Sequence, residues 1–182
     1  MQFTGCFAIV FAVLCAVLAF DIQAAQSTLG TSAAQACYES ATFSPSPSDV
    51  RSCTRALKND DLTRVDRAAT LSNRGIIWAA MNRFDRALAD QNAAIEFNPD
   101  SARAHINRGN VHFRTKRFDA AIADYSRAIS LPEGAIAPAY FNRAMAHRAL
   151  ADITAARADI ERAMALAPGN LRYQEMLNRL DE

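Results

Sequence analysis

The tripeptide Asn73-Arg74-Gly75 returns as Asn107-Arg108-Gly109, 34 residues on, and again as Asn142-Arg143-Ala144, another 35 on. This period constrains the fold more than any other property of the chain, because a unit so short cannot bury its apolar face alone and must pack against its own copies. Counting each unit from Ala68, Ala102 and Ala137, position 8 holds Gly75, Gly109 and Ala144, and position 20 holds Ala87, Ala121 and Ala156. Position 27 holds Ala94, Ala128 and Ala163, while Pro99, Pro132 and Pro168 close the units. Small residues at fixed places predict close approaches between helices.

Within each unit the apolar pattern is helical twice, with a break near positions 15–16, so a unit reads as two antiparallel helices, A and B, joined by a tight turn. Asp100 or Ser101 is placed to cap the next helix A, and Pro138 falls in a first helical turn, where its missing N–H does no harm. The 51% apolar content supports a packed core, and the formal charge of +1 gives no long-range field. Neither a nucleic-acid partner nor a polybasic membrane patch is expected.

These units resemble the tetratricopeptide repeat family, whose motif has small residues at 8, 20 and 27, large ones at 4, 11, 17 and 24, and proline at 32. Trp78, Phe84, Phe118, Tyr125 and Tyr140 occupy such large positions. The departures are Gln91 at position 24, Arg157 at position 21 of the third unit, and an insertion in PEGAIAP that predicts slack between the second and third units. The resemblance covers residues 68–169 and implies an all-α, right-handed α-solenoid of antiparallel helix pairs. Outside it, CTRAL at 53–57 is similar to YSRAI at 125–129, so 48–58 reads as helix B, and 31–41 as helix A, of a degenerate leading unit. After Pro168, NLRYQEMLNRLDE reads as a terminal capping helix. The expected organisation is an export signal over 1–24, a degenerate helix pair over 25–66, and three units plus cap over 67–182.

The signal is read from FAIVFAVLCAVLAF at 7–20, followed by the small residues Ala24 and Ala25. Such a run is short for a membrane span, which needs roughly 20 apolar residues. An uncleaved anchor is the alternative, since no Lys or Arg precedes Arg51, and only then would the protein sit on a membrane. The expected location is exported, periplasmic or secreted. Cleavage would remove Cys6 and Cys15 and leave Cys37 and Cys53. An even pair in an oxidising compartment reads as a disulfide, and closing that loop stabilises by about 3 kcal/mol in the chain-entropy model. Two free buried thiols are the alternative.

Position 8 is explained by packing. At position 7, Arg74, Arg108 and Arg143 recur with Asp90, Asp124 and Asp159 at position 23, a set that predicts planar arginine–carboxylate pairs on facing helices. Position 6 is different, since asparagine is a mediocre helix former. The family resemblance implies that helix A lines a concave groove and that Asn73, Asn107 and Asn142 face it as a ladder. A side-chain amide both donates and accepts, so it can hold a peptide backbone whatever that peptide's side chains are. Helices about 8–10 Å apart would supply one rung per roughly three residues of an extended segment. Amides bonded to neighbouring helices or to water are the plainer alternative.

The other groove positions supply Ile76, Arg103, Ile106 and Asn110, then Phe113 and Arg114, then Phe141, Met145 and Arg148. This mixture of apolar and basic character points to another protein's extended segment, with apolar and acidic side chains, as the ligand. The residues of the chaperone-tail clamp are not reproduced: Ser72, Ile76, Pro138 and Asn142 stand in its places and only Asn107 fits. His105 and His112 lie two turns apart, about 10.5 Å along a helix, too far for one metal ion. With His147 they read as packing residues. No phosphate loop, nucleophile elbow, HExxH or CxxC occurs. The reading is therefore a non-enzymatic interaction adaptor without cofactor, metal or small-molecule substrate. A self-assembling structural protein of the envelope is the second reading.

Overall fold

The computed structural model describes residues 36–180 apart from 40, 42–45, 47, 60, 133 and 135. The segment read as an export signal, Cys6, Cys15 and residues 31–35 of the first expected helix lie outside the described residues.

The helix starts follow from capping chemistry. Thr63 accepts from the Asp66 N–H, Ser101 from Ala104, Asp152 from Ala155 and Asn170 from Arg172, each satisfying one orphan donor of a first turn. The helices are α1 (Asp49–Asn59), α2 (Arg64–Ala80), α3 (Phe84–Phe97), α4 (Ala102–Arg114), α5 (Phe118–Ser130), α6 (Ala137–Ala149), α7 (Ile153–Leu166) and α8 (Leu171–Asn178). Residues 36–39 and 41 are helical ahead of them, and no strand occurs among the described residues. Helix A of the three units is α2, α4 and α6; helix B is α3, α5 and α7.

Every A-to-B turn is built alike. Asn82, Lys116 and Ala151, all at position 15, take φ of 59°, 59° and 62°. The N–H that follows reaches back to the position-11 carbonyl, from Arg83 to Trp78, Arg117 to His112 and Asp152 to His147, at 2.8, 2.9 and 3.0 Å. This left-handed cap, with its backward bond, turns the chain in two residues and makes the helices antiparallel.

Two contacts, each spanning 16 residues, then lock A to B. Position 8 meets position 24: a Cβ on Gly75 would come within 2.5 Å of Gln91 Nε2, and one on Gly109 within 2.7 Å of Tyr125 Cε1. Position 7 meets position 23 in fork-to-fork pairs, with Arg74–Asp90, Arg108–Asp124 and Arg143–Asp159 each bonded through Nε and Nη2 at 2.6–2.9 Å. The remaining Nη1 of each arginine ties its unit to the one before, donating to Thr54 at 3.2 Å, Asn92 at 2.9 Å and Ser126 at 2.9 Å.

The leading unit obeys the same register. Thr54 occupies the place of Asn92 and Ser126, which makes Cys53 the equivalent of Gln91 and Tyr125, and Cys37 the equivalent of Gly75 and Gly109. Cys37 and Cys53 form a disulfide, 16 residues apart with Cα atoms 4.6 Å apart. Ala36 and Ser52 stand where the other units carry Arg and Asp. A covalent bond thus replaces both the ion pair and the small-on-large contact. Both sulfurs are fully buried and pack on Ile77 of α2, which fixes this unit to the stack.

Gln91, a departure from the apolar pattern, is fully buried, and both polar atoms of its amide have a partner. It accepts from the Ser72 hydroxyl and donates to the Ser72 carbonyl, both at 2.9 Å. The expected slack between the second and third units falls on an insertion of which residues 133 and 135 lie outside the described residues. Leu131 is buried, and Gly134 tucks so tightly under the Ala128 carbonyl that a Cβ there would overlap it. Ala146 packs on Ala121 and Tyr125 across the same junction. At the far end α8 lays Tyr173 and Met176 over Phe141, Ile160 and Ala163, covering an apolar face that would otherwise be open to water.

Candidate functional site

Stacking α2, α4 and α6 leaves a groove of about 550 Å³ lined by the last turns of α2, the middle and end of α4 and the middle of α6. Gly75, Ile76, Ala79 and Val111 supply its small and apolar surface, and Phe113, Phe141 and Met145 its larger apolar side chains. Asn107, Asn110, Asn142 and the buried Gln91 are its amides, and Arg114 its cation from the repeats. Of the residues read from the sequence, Ile76, Asn107, Asn110, Phe113, Arg114, Phe141, Asn142 and Met145 are brought together here.

The others are not. Asn73, Arg103 and Ile106 line a separate recess of about 450 Å³ toward the N-terminal ends of α2 and α4, beside Val65, Ser72 and Ile136. Arg148 lines neither, and its Nη1 lies 3.2 Å from Met176 Sδ. A three-rung ladder is therefore not what the fold builds. Asn73 is only 7% exposed. Asn107 Nδ2 donates to the Ser72 hydroxyl at 3.0 Å, and Asn142 Nδ2 donates to Asn110 Oδ1 at 3.0 Å. Asn110 Oδ1 also accepts from the Tyr125 hydroxyl at 2.9 Å.

One polar atom of each groove asparagine is thus committed to joining one helix A to the next. The atoms with no partner among the described residues are Asn107 Oδ1, Asn142 Oδ1 and Asn110 Nδ2, and the Nδ2 atoms of Asn107 and Asn142 each keep a second N–H. Position 9, occupied by Asn110, was not part of the expected ladder, yet its Nδ2 is the one nitrogen of these three amides with no partner among the described residues. Arg172 of α8 also lines the groove. Sequence reasoning passed over it because the cap carries no repeat register from which a face can be read.

Beneath the groove lies a charged knot. Asp124 pairs with Arg108 and has His105 Nδ1 at 3.6 Å and His112 Nε2 at 3.7 Å. Burial would raise the Asp124 carboxyl, but His105 and the Arg108 guanidinium outweigh it and hold the group below the usual carboxylate value. Burial, reinforced by Arg117, holds His112 below the ordinary imidazole value. Burial also raises the Tyr125 phenol, so it stays a neutral donor to Asn110. His105 Nε2 lies 3.1 Å from the Pro99 carbonyl. These groups brace the second unit from below; the groove lining itself contains no carboxylate, histidine or cysteine.

What the groove offers is shape, apolar surface, single-sided amides and positive charge. Solved structures show where this scaffold recurs. The first TPR domain of Spaghetti (RPAP3), bound to the HSP90 peptide SRMEEVD, is 26% identical, with 64% of this chain and 92% of that one covered at a TM-score of 0.62. The second TPR domain of human RPAP3, in complex with the HSP70 peptide SGPTIEEVD, is 22% identical over 66% and 99% of the two chains, at a TM-score of 0.62. MamA from Desulfovibrio magneticus RS-1, from residue 41 to its end, is 20% identical over 84% and 85%, at a TM-score of 0.66. No curated protein matches the chain significantly. Two family models, both described as tetratricopeptide repeat, match residues 73–140 and 137–170 and together span just over half of the chain. With their period, turns and small-on-large contacts all present in the structure, the chain belongs to the tetratricopeptide repeat family.

Proposed function

We propose that this protein is an exported adaptor that holds an extended segment of another protein in the groove of α2, α4, α6 and α8. One observation carries the reading: the groove places three unpartnered amide atoms, Asn107 Oδ1, Asn142 Oδ1 and Asn110 Nδ2, beside apolar surface. An extended chain presents N–H and C=O groups alternately, so it can satisfy all three while its side chains rest on Ile76, Phe113 and Met145. Peptide binding by the RPAP3 domain at 26% identity supports the same use of the scaffold. The chaperone-tail specificity is not carried over, because Asn107 alone matches that clamp. Export is supported by the apolar run at 7–20 and by the buried Cys37–Cys53 bridge, since such bonds persist in oxidising compartments.

A photo-crosslinking amino acid at Met145, in the groove, and at Ala123, exposed on helix α5, separates the readings in cells making the protein. Adducts to one segment of a different polypeptide from Met145 and none from Ala123 are expected. Adducts from Met145 to another copy of this chain would instead support the self-assembling structural role.

A further inference from the structure

We infer that Arg172, on the capping helix and outside the repeats, sets the specificity of this groove by pairing with a carboxylate of the bound segment; the inference rests on the groove reading above. The charge inventory comes first. The groove is lined by Arg114 and Arg172 and by no Asp or Glu, so a ligand must bring its own negative charge to be complementary there.

The two cations are not equivalent. Arg114 is occupied: its Nη1 donates to the Ala79 carbonyl and its Nη2 to Asn82 Oδ1, both at 2.6 Å. It works as a strap from α4 to the end of α2. The repeat arginines are occupied too, each by its aspartate. Arg172 has no carboxylate or carbonyl partner among the described residues, and its guanidinium carbon lies 4.6 Å from the centroid of the Phe141 ring. Phe141 is buried and held from another side by Tyr173, at 4.9 Å between centroids.

A cation–π contact occupies no N–H acceptor, and no hydrogen bond from the Arg172 guanidinium is found among the described residues, so its N–H fork is available for a carboxylate. The contact also orders the side chain before any ligand arrives, which lowers the entropy lost on binding. An acidic side chain of the segment therefore seats at the α8 end, and its apolar residues lie along Ile76, Phe113 and Met145. The segment has one orientation because the groove has its free charge at one end.

A displayed library of random dodecapeptides, selected on the full folded protein, tests this. Selection on wild type should enrich Asp or Glu at one fixed place beside an apolar residue. Selection on Arg172→Glu should replace that acid with Lys or Arg, and a wild-type-selected peptide should bind Arg172→Gln at least about tenfold more weakly. Arg172 is exposed, and unchanged circular dichroism and melting temperature would show that each variant folds. Groove occupancy is read separately: Met145→Arg should abolish capture of the selected peptides. Peptides that need Met145 but show the same acid preference on wild type and Arg172→Glu would overturn the role of Arg172 and leave the groove reading standing. Peptides indifferent to Met145→Arg would overturn both.

Discussion

Tyr125 shows how much one side chain fixes. Its ring fills the space above Gly109, and its hydroxyl holds the amide of Asn110 that in turn receives Asn142. Gly109→Ala should destabilise by about 2 kcal/mol, because the added methyl meets a rigid ring and not the end of a flexible chain. Tyr125→Phe keeps the packing and should cost about 1 kcal/mol, with denaturant midpoints as the measure of both. The ion pairs set the pH response. His112 is depressed by burial and by Arg117, against the opposing pull of Asp124, so the unfolded chain binds its proton more tightly than the fold. The stability this gives is present above the ordinary value of 6.5 and is lost as pH falls from there toward the folded value. Asp124 is depressed as well, so its contribution is full above 3.8 and disappears only at lower pH. The melting temperature should therefore fall in a first step below pH 6.5 that His112→Gln removes; a step that survives in the variant would mean that another group titrates. At this scale the arginine–aspartate pairs were legible in the sequence because charge recurred at a fixed interval on facing helices. The asparagines were read too simply, because a single sequence shows an amide but not which of its two ends the neighbouring helix consumes.

At the scale of helices and turns, the disulfide is the instructive element. Cys37 and Cys53 are 16 residues apart, the spacing of Gly75 to Gln91 and Gly109 to Tyr125. That spacing is present in the sequence and places the bridge at position 8 to position 24, in addition to the oxidising compartment and the even pair that predict it. Reduction should lower stability by about 3 kcal/mol, and the loss should be local. Hydrogen exchange should accelerate over 49–59, while α4 to α7, held by their own ion pairs, should change little. The turns carry a smaller prediction. Ala151 takes φ of 62° and is exposed, a conformation that an L-residue other than glycine adopts at about 1 kcal/mol. Ala151→Gly should raise the melting temperature slightly, since part of that gain is offset by the freer unfolded chain. The break near positions 15–16 was visible in the pattern of the sequence; the left-handed backbone was not, because Lys116 and Ala151 are not residues that announce it.

The whole molecule turns a local rule into a binding surface. Position 7 ties each unit to the last, position 8 lets the helices approach, and the A helices are left around one groove. The solenoid was legible from the period alone, but the closing end was not, since Arg172 enters the groove from a helix outside the repeat. The central claim, that this groove receives an extended segment, is tested most directly by methyl NMR of protein labelled at methionine and titrated with a library-selected peptide. Met145 lines the groove and Met164 does not, although both are partly buried against the cluster that contains Ile160, Ala163 and Tyr173. A saturable shift of the Met145 methyl with Met164 unmoved is the expected result. A peptide that binds tightly while Met145 stays in place would contradict the account.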